Sequence, residues 1–227
     1  MNIAIYTFTL GRWEYLRKAI DSVNEASKGS NHSIKHFIYS QGVPFPSDLV
    51  KSNHIETLET WDMNYGIAEG MNRVIKTFTS ADLVMKMDDD CKIVSSNFFD
   101  HIAEIHTLMP NMVFSPYPVG LIRNPGGPPG KRHEVKYSKS LDTYYTFRYV
   151  DHIGGFARIA PYNLVKNWEY VPDLFLGASG NEDGQHSSKC IQNNIPMTYL
   201  ENAIIVEHQE STLGQHERYK NYFKGRF

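Results

Sequence analysis

Residues 83–90 read LVMKMDDD, an apolar run that ends in three consecutive aspartates. The run predicts a buried strand over residues 83–87, and the carboxylates after it need either full solvation or a bound cation. In an extended chain the side chains of Asp88 and Asp90 point the same way, because side chains alternate with a period of two. Two carboxylates on one side suit a hard divalent cation, Mg²⁺ or Mn²⁺, which can also hold a diphosphate. A solvated acidic turn is the alternative interpretation.

The segments before and after this stretch alternate between strand and helix patterns. Trp13, Leu16, Ile20 and Val23 recur at spacings of three and four, which is typical of an amphipathic helix. We predict further strands at residues 3–8, 34–39 and 55–58, and further helices at residues 67–78 and 98–108. This alternation indicates the α/β class, with a mostly parallel central sheet, helices on both faces, and ligands beyond the carboxyl ends of the strands.

The second half of the chain begins with a stretch of different composition. Residues 116–149 hold five of the eleven prolines, so we predict a long flexible loop there instead of regular structure. Regular elements are expected again at residues 150–159, 161–168, 181–191 and 204–206.

Composition restricts the class of protein. A chain of 227 residues with 41% hydrophobic residues can bury the core of one domain, and a net charge of −2 gives no global attraction to nucleic acid or membrane. Cys91 and Cys190 lie far apart and form no disulfide framework, so we interpret both as reduced thiols. The N-terminus lacks the pattern of a signal peptide, and no run approaches the roughly 20 apolar residues of a membrane span. We therefore expect a cytoplasmic protein, or one of the host cytoplasm if a phage encodes it.

Five short motifs occur in an order that is found in one group of enzymes. They are Thr7-Phe8-Thr9-Leu10-Gly11-Arg12, Asn64-Tyr65-Gly66-Ile67-Ala68-Glu69-Gly70-Met71-Asn72, the aspartates at 88–90, Gly154-Gly155-Phe156, and Asn181-Glu182-Asp183, with His208 after them. In this order the chain resembles glycosyltransferases of the GT-A fold, in particular the inverting family 2, whose DxD motif follows a buried strand. The resemblance covers residues 1–210.

The resemblance implies how the single domain, residues 1–227, is divided. Composition predicts a flexible acceptor-side loop at 116–149 and a basic aromatic tail at 211–227. The resemblance implies a nucleotide-sugar-binding half at 1–115 and an acceptor and catalytic half at 150–210. It also implies an enzyme that transfers a hexosyl or pentosyl group from a nucleoside diphosphate sugar.

For the donor, the resemblance implies a Mn²⁺ or Mg²⁺ ion held by Asp90, Asp88 and His208. A divalent cation offsets the negative charge of the departing diphosphate. The expected donor contacts are Thr7, Thr9, Arg12, Gln41, Asn64, Gly66, Asn72, Asp88 and Asp89. Uridine is favoured by its frequency in the family, although Ser40-Gln41 stands where the family carries an aspartate that reads the base.

For the chemistry, the resemblance implies that Asp183 is the general base. The acceptor hydroxyl loses its proton as it attacks, and a carboxylate within hydrogen-bond reach can accept that proton. With Asn181 as N-cap, Asp183 falls in the first turn of a helix, where the helix dipole favours its ionised form. Glu182 is expected to orient the site or the acceptor.

The acceptor remains open between a saccharide and DNA. Gly154 and Gly155 resemble the family's acceptor-side segment, while Lys131 and Arg132 belong to a stretch in which basic and aromatic residues alternate. Such residues suit phosphates and unstacked bases, so glycosylation of hydroxymethylated DNA bases, as some phages perform it, is one hypothesis. Sugars also stack on aromatic faces, so a saccharide acceptor is the other.

Two further classes compete with this hypothesis. A sugar nucleotidyltransferase would need a glycine-rich phosphate loop with basic residues after the first strand, and residues 7–12 are poor in glycine and lack lysine. The other is a non-catalytic nucleic-acid-binding module with a vestigial sugar-nucleotide pocket, and the presence of Asp88, Asp90, Asp183 and His208 together argues against it. The oligomeric state is not predicted.

Overall fold

The computed structural model of the chain describes residues 1–49, 55–121, 129–172 and 182–209. Its helices are α1 (Trp13–Ser27), α2 (Gly66–Val74), α3 (Phe98–Leu108), α4 (Tyr162–Val165) and α5 (Glu182–Gln192). Its strands are β1 (Asn2–Thr9), β2 (Ser33–Gln41), β3 (Ile55–Trp61), β4 (Leu83–Met87), β5 (Cys91–Ile93), β6 (Val113–Ser115), β7 (Tyr117–Val119), β8 (Arg132–Ser138), β9 (Thr143–Val150), β10 (Ala157–Pro161), β11 (Met197–Leu200) and β12 (Ile205–His208).

A nine-stranded sheet in the order β3-β2-β1-β4-β10-β6-β11-β9-β8 forms the centre of the described structure. Its first four strands are parallel. Helix α1 provides the crossover from β1 to β2, and α2 lies in the crossover from β3 to β4. Beyond β4 the sheet is mixed, with antiparallel pairs on both sides of β10 and again at β9. The predicted α/β class is confirmed, and the parallel arrangement holds for the first half of the sheet.

Helices cover both faces of the parallel half. On one face Leu16 and Ile20 of α1 pack against Ile38 of β2. On the other face Gly70 of α2 lies against the ring of Phe8, where even one added methyl group would crowd the ring. The alternation of side chains along β1 and β2 produces these two faces.

A small second sheet, in the order β5-β12-β7, brings the last described strand to the end of β4. Its register places His208 opposite Cys91, and the amide of Gln209 donates to the carbonyl of Asp90 at 2.7 Å. Residues separated by more than 100 positions in the sequence therefore meet beside the three aspartates.

The prediction of a loop without regular structure is wrong for much of residues 116–149. Strands β8 and β9 form an antiparallel hairpin there, and Tyr145 and Phe147 are buried in the core. The five prolines all lie at or before Pro129, so they do not interrupt the hairpin, and its aromatic and β-branched residues favour strands.

Two predicted segments lie outside the described residues. These are the tail at 211–227 and Asn181, the expected N-cap of α5. Among the residues that are described, none of the helices is both long and apolar enough to cross a bilayer.

Candidate active site

The three aspartates form a turn, and their side chains diverge. Strand β4 ends at Met87, and the amide of Cys91 donates to the carbonyl of Asp88 at 3.1 Å. Asp88 Oδ1 accepts a hydrogen bond from Lys86 Nζ at 2.8 Å, whereas the Asp90 side chain faces β12. The argument that Asp88 and Asp90 point the same way is therefore wrong, because the alternation of side chains ends with the extended strand.

Asp90 belongs to a group of possible metal ligands. One ligand atom from each of Asp90, Cys91 and His208 lies within 4.8 Å of the other two, and we refer to these three possible ligands as the metal-binding group. His208 Nε2 is 3.5 Å from Asp90 Oδ2. A carboxylate oxygen and an imidazole nitrogen that converge in this way fit a divalent cation. Asp88 lies outside this group, so its role as a ligand stays a prediction.

Arg12 lies against the same aspartates. Its Nη1 donates to Asp90 Oδ2 at 2.6 Å and its Nε to Asp89 Oδ2 at 3.2 Å, while its Nη2 contacts Asp89 Oδ1. The guanidinium thus compensates two carboxylates that are each only 1% exposed. Arg12 is one of the predicted contacts of the nucleotide sugar, and the structure places its guanidinium on these two carboxylates.

A second charged cluster lies on the neighbouring strands. Lys86 of β4 and Arg158 of β10 are cross-strand partners on one face of the sheet, and both are buried. Lys86 Nζ lies 2.8 Å from Asp88 Oδ1, 2.9 Å from the carbonyl of Gly155 and 3.7 Å from Glu182 Oε1. Our sequence analysis missed both cations, although a lysine inside an apolar strand is a signal, since buried lysines are found paired.

Asp183 is held at the edge of this cluster by two hydrogen bonds. Gly155 N donates to its Oδ2 and Arg158 Nη1 to its Oδ1, both at 2.8 Å. Its side chain is 30% exposed, so an acceptor can approach it. A carboxylate oxygen has two lone pairs, and these two donors use one on each oxygen. Position 155 must be glycine, because a Cβ would overlap the Asp183 carboxylate and the Lys86 ammonium.

Glu182 is buried beside Lys86 and is 4% exposed. Within the described residues its Oε2 has no hydrogen-bond partner. Burial raises the pKa of Glu182 to about 7, the charge of Lys86 opposes that shift, and the charges of Asp183 and Asp88 add to it. Glu182 therefore exchanges its proton near neutral pH and is too enclosed to meet an acceptor directly.

This pKa predicts how stability depends on pH. In the unfolded chain a glutamate has a pKa of about 4.3, whereas in the fold that of Glu182 is about 7. The folded state binds more protons between these values, so the contribution to stability is lost as pH rises through about 7. We expect Glu182→Gln to flatten the profile of unfolding free energy between pH 5 and pH 8, as measured by urea denaturation. Glu169→Gln, at an exposed surface carboxylate, is the control, and a wild-type profile for Glu182→Gln contradicts the prediction.

Several residues that we predict to contact the nucleotide sugar form hydrogen bonds within the protein, at the start of α2 and within it. Asn64 Oδ1 accepts from Gly66 N at 2.9 Å, and Gln41 Oε1 accepts from Tyr65 N at 3.0 Å. Gly66 has a φ of +76°, which favours glycine. The side-chain amide of Asn72 forms two hydrogen bonds with the backbone of Tyr170. Its Nδ2 donates to the Tyr170 carbonyl, and its Oδ1 accepts from the Tyr170 amide. These contacts shape the loop, and donor binding by the same residues stays a prediction.

Thr7 and Thr9 of β1, two further predicted contacts of the nucleotide sugar, are buried. Thr7 Oγ1 lies 3.0 Å from His36 Nε2, and Thr7 is completely shielded from solvent. This burial conflicts with the predicted contact between Thr7 and the nucleotide sugar. Burial lowers the pKa of His36 to about 3, so its ring is neutral. Thr9 is also buried, beside Asp89 at the end of β1.

The predicted acceptor residues do not all meet. Gly154 N donates to the Tyr199 hydroxyl at 2.8 Å, and the next residue, Gly155, donates to Asp183. Lys131 pairs with Asp151, and the Arg132 guanidinium lies 4.0 Å from the centre of the Tyr149 ring. Arg132 begins β8, the edge strand, which three strands separate from β10.

No protein-family model and no curated protein sequence matches the chain. Solved structures do match. The structure of GalNAc-T7 with UDP, GalNAc and Mn²⁺ gives a TM-score of 0.66 at 10% identity, over 91% of this chain and 43% of that one. S. aureus TarS 1–349 with UDP gives 0.67 at 15% identity, over 93% and 61%. With UDP-GlcNAc, TarS 1–349 gives 0.64 at 14% identity, over 93% and 59%.

These matches show the fold of the chain. It is the GT-A glycosyltransferase fold, as the sequence resemblance implied. The chain spans between about two fifths and three fifths of the length of these solved structures.

Proposed function

We propose that this chain of GT-A fold is a metal-dependent, inverting glycosyltransferase that moves a sugar from a UDP-sugar to a hydroxyl acceptor. One observation carries the proposal: the turn at residues 88–90 joins two charged clusters at the end of β4. Asp90 lies with His208 in one of them, and Asp88 lies with Lys86, next to Asp183, in the other. A metal-binding group and a candidate base are thereby adjacent where ligands bind in α/β sheets.

The nature of the donor rests on the solved structures of this fold. Those structures contain UDP, UDP-GlcNAc, or UDP together with GalNAc and Mn²⁺. In this chain Asp90 and His208 would hold the cation, with Asp88 and Asp89 near the nucleotide. The bound cation offsets the charge that develops on the departing diphosphate.

The chain's own residues supply the proton transfer. Asp183 accepts the proton of the acceptor hydroxyl while the acceptor oxygen bonds to the anomeric carbon. The bond from that carbon to the diphosphate breaks, and the electron pair leaves with UDP. Arg158 and the Gly155 amide fix the carboxylate for this step, since each donates to a different oxygen at 2.8 Å. Lys86 offsets the charge of Asp88 and Glu182 beside it.

Product stereochemistry tests the proposed reaction. A single displacement inverts the anomeric carbon, so an α-linked UDP-sugar should give a β-linked product, which proton NMR distinguishes by its anomeric coupling. Activity should disappear with a chelator and return with Mn²⁺ or Mg²⁺. An α-linked product contradicts inversion. Binding of nucleotide sugars with neither transfer nor donor hydrolysis would favour the non-catalytic module instead.

A DNA acceptor is the second candidate, and the β8–β9 hairpin is the observation that favours it. Tyr137 and Tyr144 form an exposed aromatic pair with ring centres 4.8 Å apart, whereas the basic residues Lys136 and Arg132 project from the opposite face of the hairpin. Exposed aromatic rings can stack on bases or on sugars. Lys136 is paired with Glu134, which reduces the positive charge available to phosphates.

Salt dependence distinguishes the two acceptors. If the acceptor is DNA, its affinity should fall steeply with salt because phosphate contacts release counterions. Replacing Lys131 and Arg132 together by alanine should flatten the slope of log K against log salt by about 2. Replacing Lys28 and Lys35, exposed lysines that are also paired with acids, is the control. Absence of binding to plain and hydroxymethylated DNA at low salt contradicts the DNA hypothesis and leaves the saccharide.

A further inference from the structure

Cys91 is the residue of the metal-binding group that the sequence analysis did not include. It directly follows the acidic turn and begins β5, where its side chain is fully buried and the next side chain, Lys92, is exposed. Its thiol is free. The proton transfer proposed above does not use it.

The pairing of β5 with β12 explains why the thiol points at the histidine. Cys91 and His208 are direct partners in this antiparallel pair, and directly opposed residues project from the same face. Asp90 precedes Cys91 in the turn, and its Oδ2 lies 3.5 Å from His208 Nε2. Sulfur, nitrogen and oxygen atoms from three residues thus lie within 4.8 Å of one another.

This set of donor atoms differs in character from an all-oxygen site. Thiolates are soft ligands that Zn²⁺ and Co²⁺ accept, whereas Mg²⁺ prefers carboxylates, carbonyls and water. We propose that Cys91 is a third protein ligand, so that Asp90, Cys91 and His208 form a site that selects Zn²⁺ or Co²⁺ over Mg²⁺. The proposal rests on the metal role of Asp90 and His208 given above and does not depend on sugar transfer. On binding, the thiol proton passes to the buffer.

Arg12 already contacts the carboxylate that a cation would need, because its Nη1 donates to Asp90 Oδ2 at 2.6 Å. An entering cation either shares the carboxylate with the guanidinium or takes its place. In both arrangements each of the two aspartates keeps a positive partner, Arg12 for Asp89 and the cation for Asp90. Cys91 and His208 lie on the strand side of Asp90, where β5 and β12 pair.

Co²⁺ reports directly on a sulfur ligand. The full chain, without nucleotide, is titrated with Co²⁺ while the near-ultraviolet thiolate-to-Co²⁺ charge-transfer band is recorded. The chain has two cysteines, and Cys190 is buried in α5. We expect the band in the wild type and in Cys190→Ser, and its loss in Cys91→Ser. If Cys91→Ser does not fold, the band in Cys190→Ser still identifies Cys91, because it is then the one remaining cysteine.

Calorimetry measures the selectivity. Cys91→Ser should weaken Zn²⁺ binding by roughly 10- to 100-fold, since even the outer partners of metal ligands have effects of that size. Binding of Mg²⁺, which prefers oxygen ligands, should change by far less. Equal losses for both ions mean that the substitution disturbs the site as a whole, which overturns selectivity by the thiol.

The remaining outcomes separate this inference from the proposed function. Co²⁺ binding without a charge-transfer band, unchanged in Cys91→Ser, excludes the thiol and leaves Asp90 and His208 as metal ligands. If the wild type binds neither Co²⁺ nor Zn²⁺ without nucleotide, the three-ligand site is overturned. Transfer from a UDP-sugar, assayed with and without chelator, then decides the proposed function separately.

Discussion

Asp183→Asn is expected to lower turnover by about 10²- to 10⁴-fold, the usual effect of losing a general base. Asparagine keeps the shape of the side chain but cannot accept the proton of the acceptor hydroxyl. The affinity for the UDP-sugar, measured by calorimetry, should stay nearly unchanged, because the two atoms that hold Asp183 come from Gly155 and Arg158 and not from the metal-binding group.

The same substitution also disturbs a charge pair, so its effect on stability must be measured separately. Arg158 is buried and loses its ionic partner, and a buried charge without compensation is costly. The melting temperature of Asp183→Asn should therefore fall. Asp100→Asn is a matched control, because Asp100 is also 30% exposed but lies on α3 beside His32. Wild-type turnover in a folded Asp183→Asn variant means that another group accepts the proton.

The parallel half of the fold could be predicted because its signals are local. Buried strands read as short apolar runs, and the bounds expected for β4 and α3 agree with the structure. The spacing of apolar residues in α1 likewise follows from the helical period. Such patterns lie within a few residues of one another, so a single sequence displays them.

The contacts within the charged clusters could not be predicted from local patterns, because they depend on strand register. Lys86 and Arg158 meet through the pairing of β4 with β10, and Cys91 meets His208 through that of β5 with β12. A single sequence does not show which strands are neighbours in a sheet. The divergence of Asp88 from Asp90 has a different cause, since it depends on the point at which β4 stops being extended.

Asp90→Ala is expected to abolish the gain in UDP-sugar affinity that Mn²⁺ provides. Asp90 is the one carboxylate of the metal-binding group, and the sulfur and nitrogen ligands of Cys91 and His208 that would remain suit Mn²⁺ less well than oxygen does. The measurement is calorimetric titration of donor with Mn²⁺ and with chelator. In the wild type the two affinities should differ, and in Asp90→Ala they should coincide.

Asp89→Ala is the matched control for this prediction. Asp89 and Asp90 are adjacent, each 1% exposed, and both bond Arg12, so either substitution leaves the guanidinium with one of the two aspartates. Asp89 lies outside the metal-binding group, so its loss should leave a Mn²⁺-dependent gain even if it weakens the donor overall. Loss of that gain in both variants would mean that the charge of the turn holds the ion, and equal wild-type affinities with Mn²⁺ and with chelator would contradict metal dependence altogether.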